Sequence, residues 1–170
     1  MRKTNGFISL ALALLLVVHV AHNLGALNSG AGIGVLQVFF PALAWGCVIL
    51  SFLHIGLSAG TSVKMLNDTE RPPSARKKRH LVLKWVTGLA LALTTGLHIG
   101  HVMGFVAPGN AAFFWGSLFA TLVCLGIHIY TGTRSLLKDI GLPTTWKTAV
   151  RIVVIACVLA ACAALYIIAT

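Results

Sequence analysis

Five long apolar segments dominate this sequence. They cover about residues 6–27, 36–66, 80–105, 112–138 and 146–169. A bilayer core is crossed by a helix of about 20 consecutive apolar residues. Of the 170 residues, 58% are hydrophobic and only 9% are charged, whereas a soluble domain carries about 25% charged residues. We therefore predict an all-α integral membrane protein, a single transmembrane domain over residues 1–170 with five membrane-spanning helices.

The basic residues give these segments an orientation. The net charge is +10, from 13 Lys and Arg against 3 Asp and Glu. All the basic residues precede the first segment or surround the second–third and fourth–fifth connections, whereas the connections at 28–35 and 106–111 carry no charge. By the positive-inside rule this pattern predicts a cytoplasmic N-terminus. The charge thus serves topology and contact with membrane lipid, and we expect no nucleic-acid partner.

Histidine recurs inside four of the five segments. The residues are His19 and His22, His54, His98 and His101, and His128. Ionisable side chains at membrane depth are costly and usually functional. At about 1.5 Å of rise per residue, His54 and His128 lie roughly 15 Å from a cytoplasmic lysine, and His19 and His98 roughly 21–24 Å. Four helices with imidazoles at two levels suit two haem b groups, each with two axial histidines on its iron.

The histidines also follow an internal repeat. The first and third segments both contain H-x-x-H-x-x-G, at residues 19–25 and 98–104, and a lysine follows ten residues after both His54 and His128. This predicts four helices that form a haem-binding bundle from two similar hairpins, with the fifth helix outside. Glycines near the histidines fit either a porphyrin face or close helix packing.

The most specific motif begins at His128. The residues His128, Gly132, Arg134 and Asp139 fit H-x-x-x-G-x-R-x-x-x-x-D. This resembles cytochrome b membrane-anchor subunits of succinate dehydrogenase and fumarate reductase, of the single-chain, five-helix, two-haem type. The resemblance implies that His54 and His128 bind the inner haem iron, and that Arg134 lies at a haem propionate or quinone.

The outer haem has two candidate ligand pairs. The resemblance favours His19 and His98. His22 and His101 are then alternative ligands or groups beside a propionate or quinone. Haem and quinone, menaquinone by preference, are the cofactor and substrate implied.

The resemblance further implies electron transfer in the respiratory chain and the tricarboxylic acid cycle. The chain would pass electrons between an iron–sulfur subunit and membrane quinone in a bacterial or archaeal inner (cytoplasmic) membrane. A flavoprotein subunit would act on succinate, so no catalytic residue is expected here, and a higher oligomer of the complex is compatible. Two alternatives stay open: a haem b quinone-reactive subunit of a hydrogenase, formate or nitrate enzyme, and a non-haem membrane transporter.

Overall fold

Helices account for most of the chain. The computed structural model describes residues 1–29 and 36–169, and the side chains of all of these except 24–29, 36–38 and 169. The helices are α1 (Arg2–Ser29), α2 (Leu36–Leu66), α3 (Ala75–Val102), α4 (Ala111–Asp139) and α5 (Lys147–Ala169), with a short 3-10 turn at Thr144–Trp146. All five are long and apolar enough to cross a membrane. The described residues contain no strand, so the predicted all-α class with five spans is confirmed.

The bounds of α3 differ from the prediction at both ends. It begins at Ala75, not near residue 80, because the Ser74 side chain caps it by accepting a hydrogen bond from the Lys77 backbone N–H at 3.4 Å. It ends at Val102, not near residue 105, because Gly104 adopts a φ of +77° that only glycine takes readily. Hydropathy does not predict the start of α3, because its first turns are charged. It does not predict the end either, because that depends on the backbone conformation of Gly104.

Large apolar side chains point outward along the helices. Phe52, Leu89 and Tyr166 are each 71% exposed, and Ile167 is 73% exposed. In water such surfaces would associate, whereas in a bilayer they face lipid tails. The exposed side chains therefore agree with a multi-pass membrane protein.

The first compact unit comprises residues 1–73 and 135–144. Within it α1 and α2 pack as an antiparallel pair. The contacting pairs along it are Asn5–Ser58, Ser9–His54, Leu15–Gly46 and His19–Phe40. The segment that ends α4 also packs on α1, because a Cβ on Gly6 would lie 3.0 Å from Ile140 Cγ2 and 3.1 Å from Asp139 Cβ. Glycine at this position allows that close approach.

The second compact unit comprises residues 74–134 and 145–170. Here α3 and α4 are antiparallel, with Thr87 beside His128 and His98 beside Phe114. The fifth helix packs on α4, where a Cβ on Gly126 would lie only 2.8 Å from Val158 Cγ2. The prediction of a single transmembrane domain stays a prediction.

The two units have corresponding contacts. Phe40 and Phe114 are 74 residues apart, as are His54 and His128, and each phenylalanine packs against both histidines of an H-x-x-H motif. The internal repeat read from the histidines therefore extends to the contacts within each helix pair. The haem-binding bundle, which would require histidines of both units, stays a prediction.

Candidate functional site

His54 is held by the first turns of α1. Its Nδ1 lies 2.9 Å from Ser9 Oγ and 3.0 Å from Asn5 Oδ1. Asn5 and Ser9 reach the same ring because residues four apart share a helix face. Asn5 Nδ2 in turn donates to Ser58 Oγ at 3.1 Å, on the helix of His54 itself. We call Asn5, Ser9, His54 and Ser58 the His54 cluster.

The hydrogen bonds of this cluster determine which nitrogen of His54 carries the proton. The Ser9 hydroxyl donates to the Asn5 backbone oxygen at 2.7 Å, so Oγ presents a lone pair to the ring. Asn5 uses its amide NH₂ toward Ser58, so its Oδ1 also faces the ring as an acceptor. Nδ1 is therefore the donor, and Nε2 carries the lone pair that a proton or a metal ion takes.

His128 repeats this arrangement on α4. Its Nδ1 lies 3.2 Å from Thr87 Oγ1, and the Thr87 hydroxyl donates to the Lys84 carbonyl oxygen at 3.2 Å. Thr87 thus accepts from Nδ1–H, and Nε2 again carries the lone pair. Gly88 lets the ring approach α3, since a Cβ there would lie 3.2 Å from His128 Cε1. We call Thr87, Gly88 and His128 the His128 cluster.

The histidine pair of α1 stacks on an aromatic ring of α2. Phe40 lies 5.0 Å from the His19 ring and 4.3 Å from the His22 ring, centroid to centroid. His22 is only 4% exposed. The Nδ1 atoms of both histidines are buried and have no hydrogen-bond partner among the described residues. A buried polar nitrogen without a partner is destabilising and calls for a functional explanation.

The histidine pair of α3 packs on α4 in a related way. Phe114 lies 5.8 Å from the His98 ring and 5.7 Å from the His101 ring. The chain after α3 folds back, so that His101 Nδ1 donates to the Val106 carbonyl oxygen at 3.0 Å. His101 therefore also presents its lone pair on Nε2.

The remaining predicted site residue is Arg134, which is exposed near the C-terminal end of α4. Its predicted role beside a propionate or quinone stays a prediction, as does the axial ligation by His19, His54, His98 and His128. In the part of the chain that the structure describes, no three His, Cys, Asp or Glu side chains converge in a way that could hold a metal ion.

Three kinds of residue in these clusters were not predicted from the sequence. They are the amide of Asn5, the hydroxyls of Ser9 and Thr87, and the rings of Phe40 and Phe114. Their roles depend on which faces of two helices meet, and hydropathy does not specify that. A signal did exist for the phenylalanines, because Phe40 and Phe114 have the same spacing of 74 residues as His54 and His128.

The fold and these clusters define a multi-pass membrane protein with histidines inside its apolar helices. The chain is similar to a Na(+)/H(+) antiporter NhaA of Sodalis glossinidius (strain morsitans), with 33% identity over 116 residues. The match covers 64% of this chain and 29% of the antiporter, so the chain spans less than a third of that relative's length. No protein-family model matches the chain, and no solved structure matches it.

This similarity corrects the resemblance to succinate dehydrogenase and fumarate reductase anchors. The matched relative is a transporter, so both that family and the function of a dihaem electron-transfer anchor were wrong. The motif misled because some of its members have separate local reasons to be present. Arg134 is an exposed cation near the C-terminal end of α4, and Asp139 packs at Gly6.

The cofactor and partner expectations are separate from this correction. Nothing tests the two haem b groups, and they stay a prediction based on the histidines. The quinone, the iron–sulfur subunit and the flavoprotein subunit were implied by the resemblance alone, and they stay untested predictions.

Proposed function

We propose that this chain is a non-haem membrane transporter that exchanges or conducts protons and small monovalent cations. The similarity to a stretch of a Na(+)/H(+) antiporter carries this proposal. The chain matches only part of that relative, so its cation and its coupling to protons belong to the proposal. We place it in the inner (cytoplasmic) membrane, with the N-terminus inside, on the distribution of its basic residues.

Imidazole is the group best suited to carry the proton in such a transporter. The three acidic residues are Asp68, Glu70 and Asp139, and all lie at or beyond the cytoplasmic ends of α2 and α4. No carboxylate thus lies within the apolar core of any helix. Histidine is the side chain whose unperturbed proton equilibrium lies closest to physiological pH.

The His54 and His128 clusters support this role by their geometry. In each, a side-chain oxygen of the neighbouring helix accepts from Nδ1–H and fixes the ring. The proton that enters or leaves then does so at Nε2, in a fixed direction. A group that binds and releases a proton needs this kind of preorganisation, which its neighbours supply before the proton arrives.

Ion flux from reconstituted vesicles tests the proposal. The full chain is placed in liposomes with a trapped pH-sensitive dye, and a sodium or potassium gradient is imposed. We expect a cation-dependent change of internal pH, which His54→Asn reduces about tenfold or more because the proton-binding nitrogen is lost.

The matched control is His80→Asn, which removes an exposed imidazole near the start of α3 and should leave the flux unchanged. Absence of cation-dependent flux with the wild-type chain would reject the transporter. An equal loss in both variants would reject His54 as the proton-binding group.

Haem b binding by the same histidines is a second candidate, favoured by the fixed Nδ1–H of His54 and His128. Histidines that bind metals commonly donate their other ring N–H to an oxygen, as these two do. Near the histidines, a Cβ on Gly56, Gly96 or Gly132 would have no atom within 4 Å. The residues present therefore fit an iron porphyrin, which would carry an electron when bound.

A reduced-minus-oxidised absorption spectrum of the purified chain decides between these candidates. Haem binding predicts a b-type band that His54→Ala or His128→Ala weakens, because each removes a histidine that could ligate the iron. His80→Ala is the control and should keep the full band. A chain without the band would reject haem and leave the transporter proposal intact.

A further inference from the structure

Basic side chains from three helices come together in the second unit. His80 and Lys84 are one turn apart on α3, and Arg134 is one turn beyond Tyr130 on α4. Arg151 of α5 reaches across to Tyr130. The His80 ring lies within electrostatic reach of Lys84, Arg134 and Arg151. We call His80, Lys84, Arg134 and Arg151 the basic cluster.

Arg151 is held in place by two contacts with one residue. Its Nε donates to the Tyr130 backbone oxygen at 3.1 Å, and its guanidinium carbon lies 4.1 Å from the centre of the Tyr130 ring. Nε and one face of the guanidinium are used in these contacts. The terminal NH₂ groups keep the planar fork that binds phosphate or carboxylate oxygens in pairs.

The second unit contains no acidic residue to balance this cluster. Neither residues 74–134 nor residues 145–170 include Asp or Glu, and the chain's 3 acidic residues all belong to the first unit. Like charges at close range repel, and the repulsion is stronger at a membrane surface than in bulk water. An anion from outside the unit would relieve it.

Aromatic residues indicate the depth of the cluster. Trp85 follows Lys84 directly, Tyr130 lies under Arg151, and Trp146 precedes α5. These side chains are 41%, 41% and 60% exposed. Exposed Trp and Tyr at helix ends are typical of the membrane–water interface. The phosphates of phospholipids lie at that depth, whereas a soluble acidic partner would approach from the aqueous side.

From these observations we infer that the basic cluster binds the phosphate of an anionic phospholipid headgroup. Arg134 and Arg151 supply the main contacts, and Lys84 adds charge. The site is separate from the histidine clusters, so it does not depend on the proposed transport function.

Native mass spectrometry of the purified full chain tests this inference. Binding of phosphatidylglycerol is compared with that of phosphatidylcholine at raised ionic strength, which screens long-range attraction. We expect selective binding of phosphatidylglycerol that Arg134→Gln or Arg151→Gln weakens about tenfold, because each removes charge-assisted hydrogen bonds.

The matched control is Lys78→Gln, which removes the same charge from an exposed position of the same unit and should change binding little. Since Arg151→Gln also removes the contact with Tyr130, the exposed Arg134 provides the second variant. Equal weakening by Lys78→Gln would overturn the inference in favour of general surface charge. Equal binding of phosphatidylcholine, or of inorganic phosphate alone with no gain from the lipid, would also overturn it.

Discussion

Each imidazole in an apolar helix has two nitrogens, and its neighbours decide what each can do. At His54, Ser9 and Asn5 accept from Nδ1–H, and at His128 Thr87 does so. At His22 the Nδ1 is buried without a partner among the described residues. The histidines thus divide into anchored rings and rings, such as those of His19 and His22, whose buried Nδ1 has no partner among the described residues. In the anchored rings, the hydrogen bond of Nδ1–H leaves the lone pair on Nε2.

At this scale, Ser9→Ala should weaken the packing of α1 on α2. The change removes an interhelical acceptor for His54, and such bonds contribute roughly 0.6–1.7 kcal/mol within membranes. The free energy of unfolding in detergent or bicelles would measure the loss.

Ser51→Ala is the control for Ser9→Ala. The Ser51 hydroxyl donates to the Cys47 carbonyl oxygen on its own helix, so its removal should cost less than Ser9→Ala. Equal losses would mean that the contact between Ser9 and His54 adds no stability.

Among the described residues, the glycines differ in how closely another segment approaches them. Gly6, Gly88 and Gly126 each face an atom of another segment within 3.2 Å of the position that a Cβ would occupy. Gly56, Gly96, Gly116 and Gly132 face nothing within 4 Å. Close helix packing therefore explains the first group, and the second group leaves space along the helices. The sequence alone does not distinguish these groups, because it does not show which face of each helix meets a neighbouring segment.

Gly126→Ala should destabilise the packing of α5 on α4. The new methyl would lie 2.8 Å from Val158 Cγ2, and overpacking of this kind costs about 1–3 kcal/mol. Thermal unfolding of the purified chain would measure it.

Two further variants test that explanation. Adding Val158→Ala to Gly126→Ala should recover most of the lost stability, because it removes the opposing methyl groups. Gly132→Ala meets nothing within 4 Å and should be neutral, or stabilising by up to about 1 kcal/mol through helix propensity. A loss in Gly126→Ala that Val158→Ala does not restore would contradict a steric cause.

For the molecule as a whole, the sequence predicts the features that depend on hydropathy. It does not predict the contacts that depend on which face of each helix meets its neighbour. The five spans follow from apolar length alone, and α2 begins and ends at the predicted residues 36 and 66. The start of α3 does not follow, because Ser74 caps a charged first turn. The histidines could be chosen as site residues from their cost in lipid. Asn5 and Thr87 could not, since their roles appear only when two helix faces meet.

The functional prediction failed for a related reason. A motif on one helix gives four residues, and two of them, Arg134 and Asp139, also have a local structural explanation. The match of 116 residues to an antiporter samples much more of the chain. A short motif on one helix is therefore weak grounds for assigning a membrane protein to a family.

The uneven distribution of charge also bears on how the chain enters the membrane during synthesis. Each helix pair carries its own cations at the ends that the positive-inside rule assigns to the cytoplasm. They are Arg2, Lys3 and Lys64 around α1 and α2, and Arg76, Lys84 and Arg134 around α3 and α4. The positive-inside rule therefore predicts the same orientation from each helix pair independently. Loss of a single cation leaves most of this charge difference in place. We therefore expect the orientation of the chain to tolerate a single substitution better than the hydrogen bonds of its histidine clusters do.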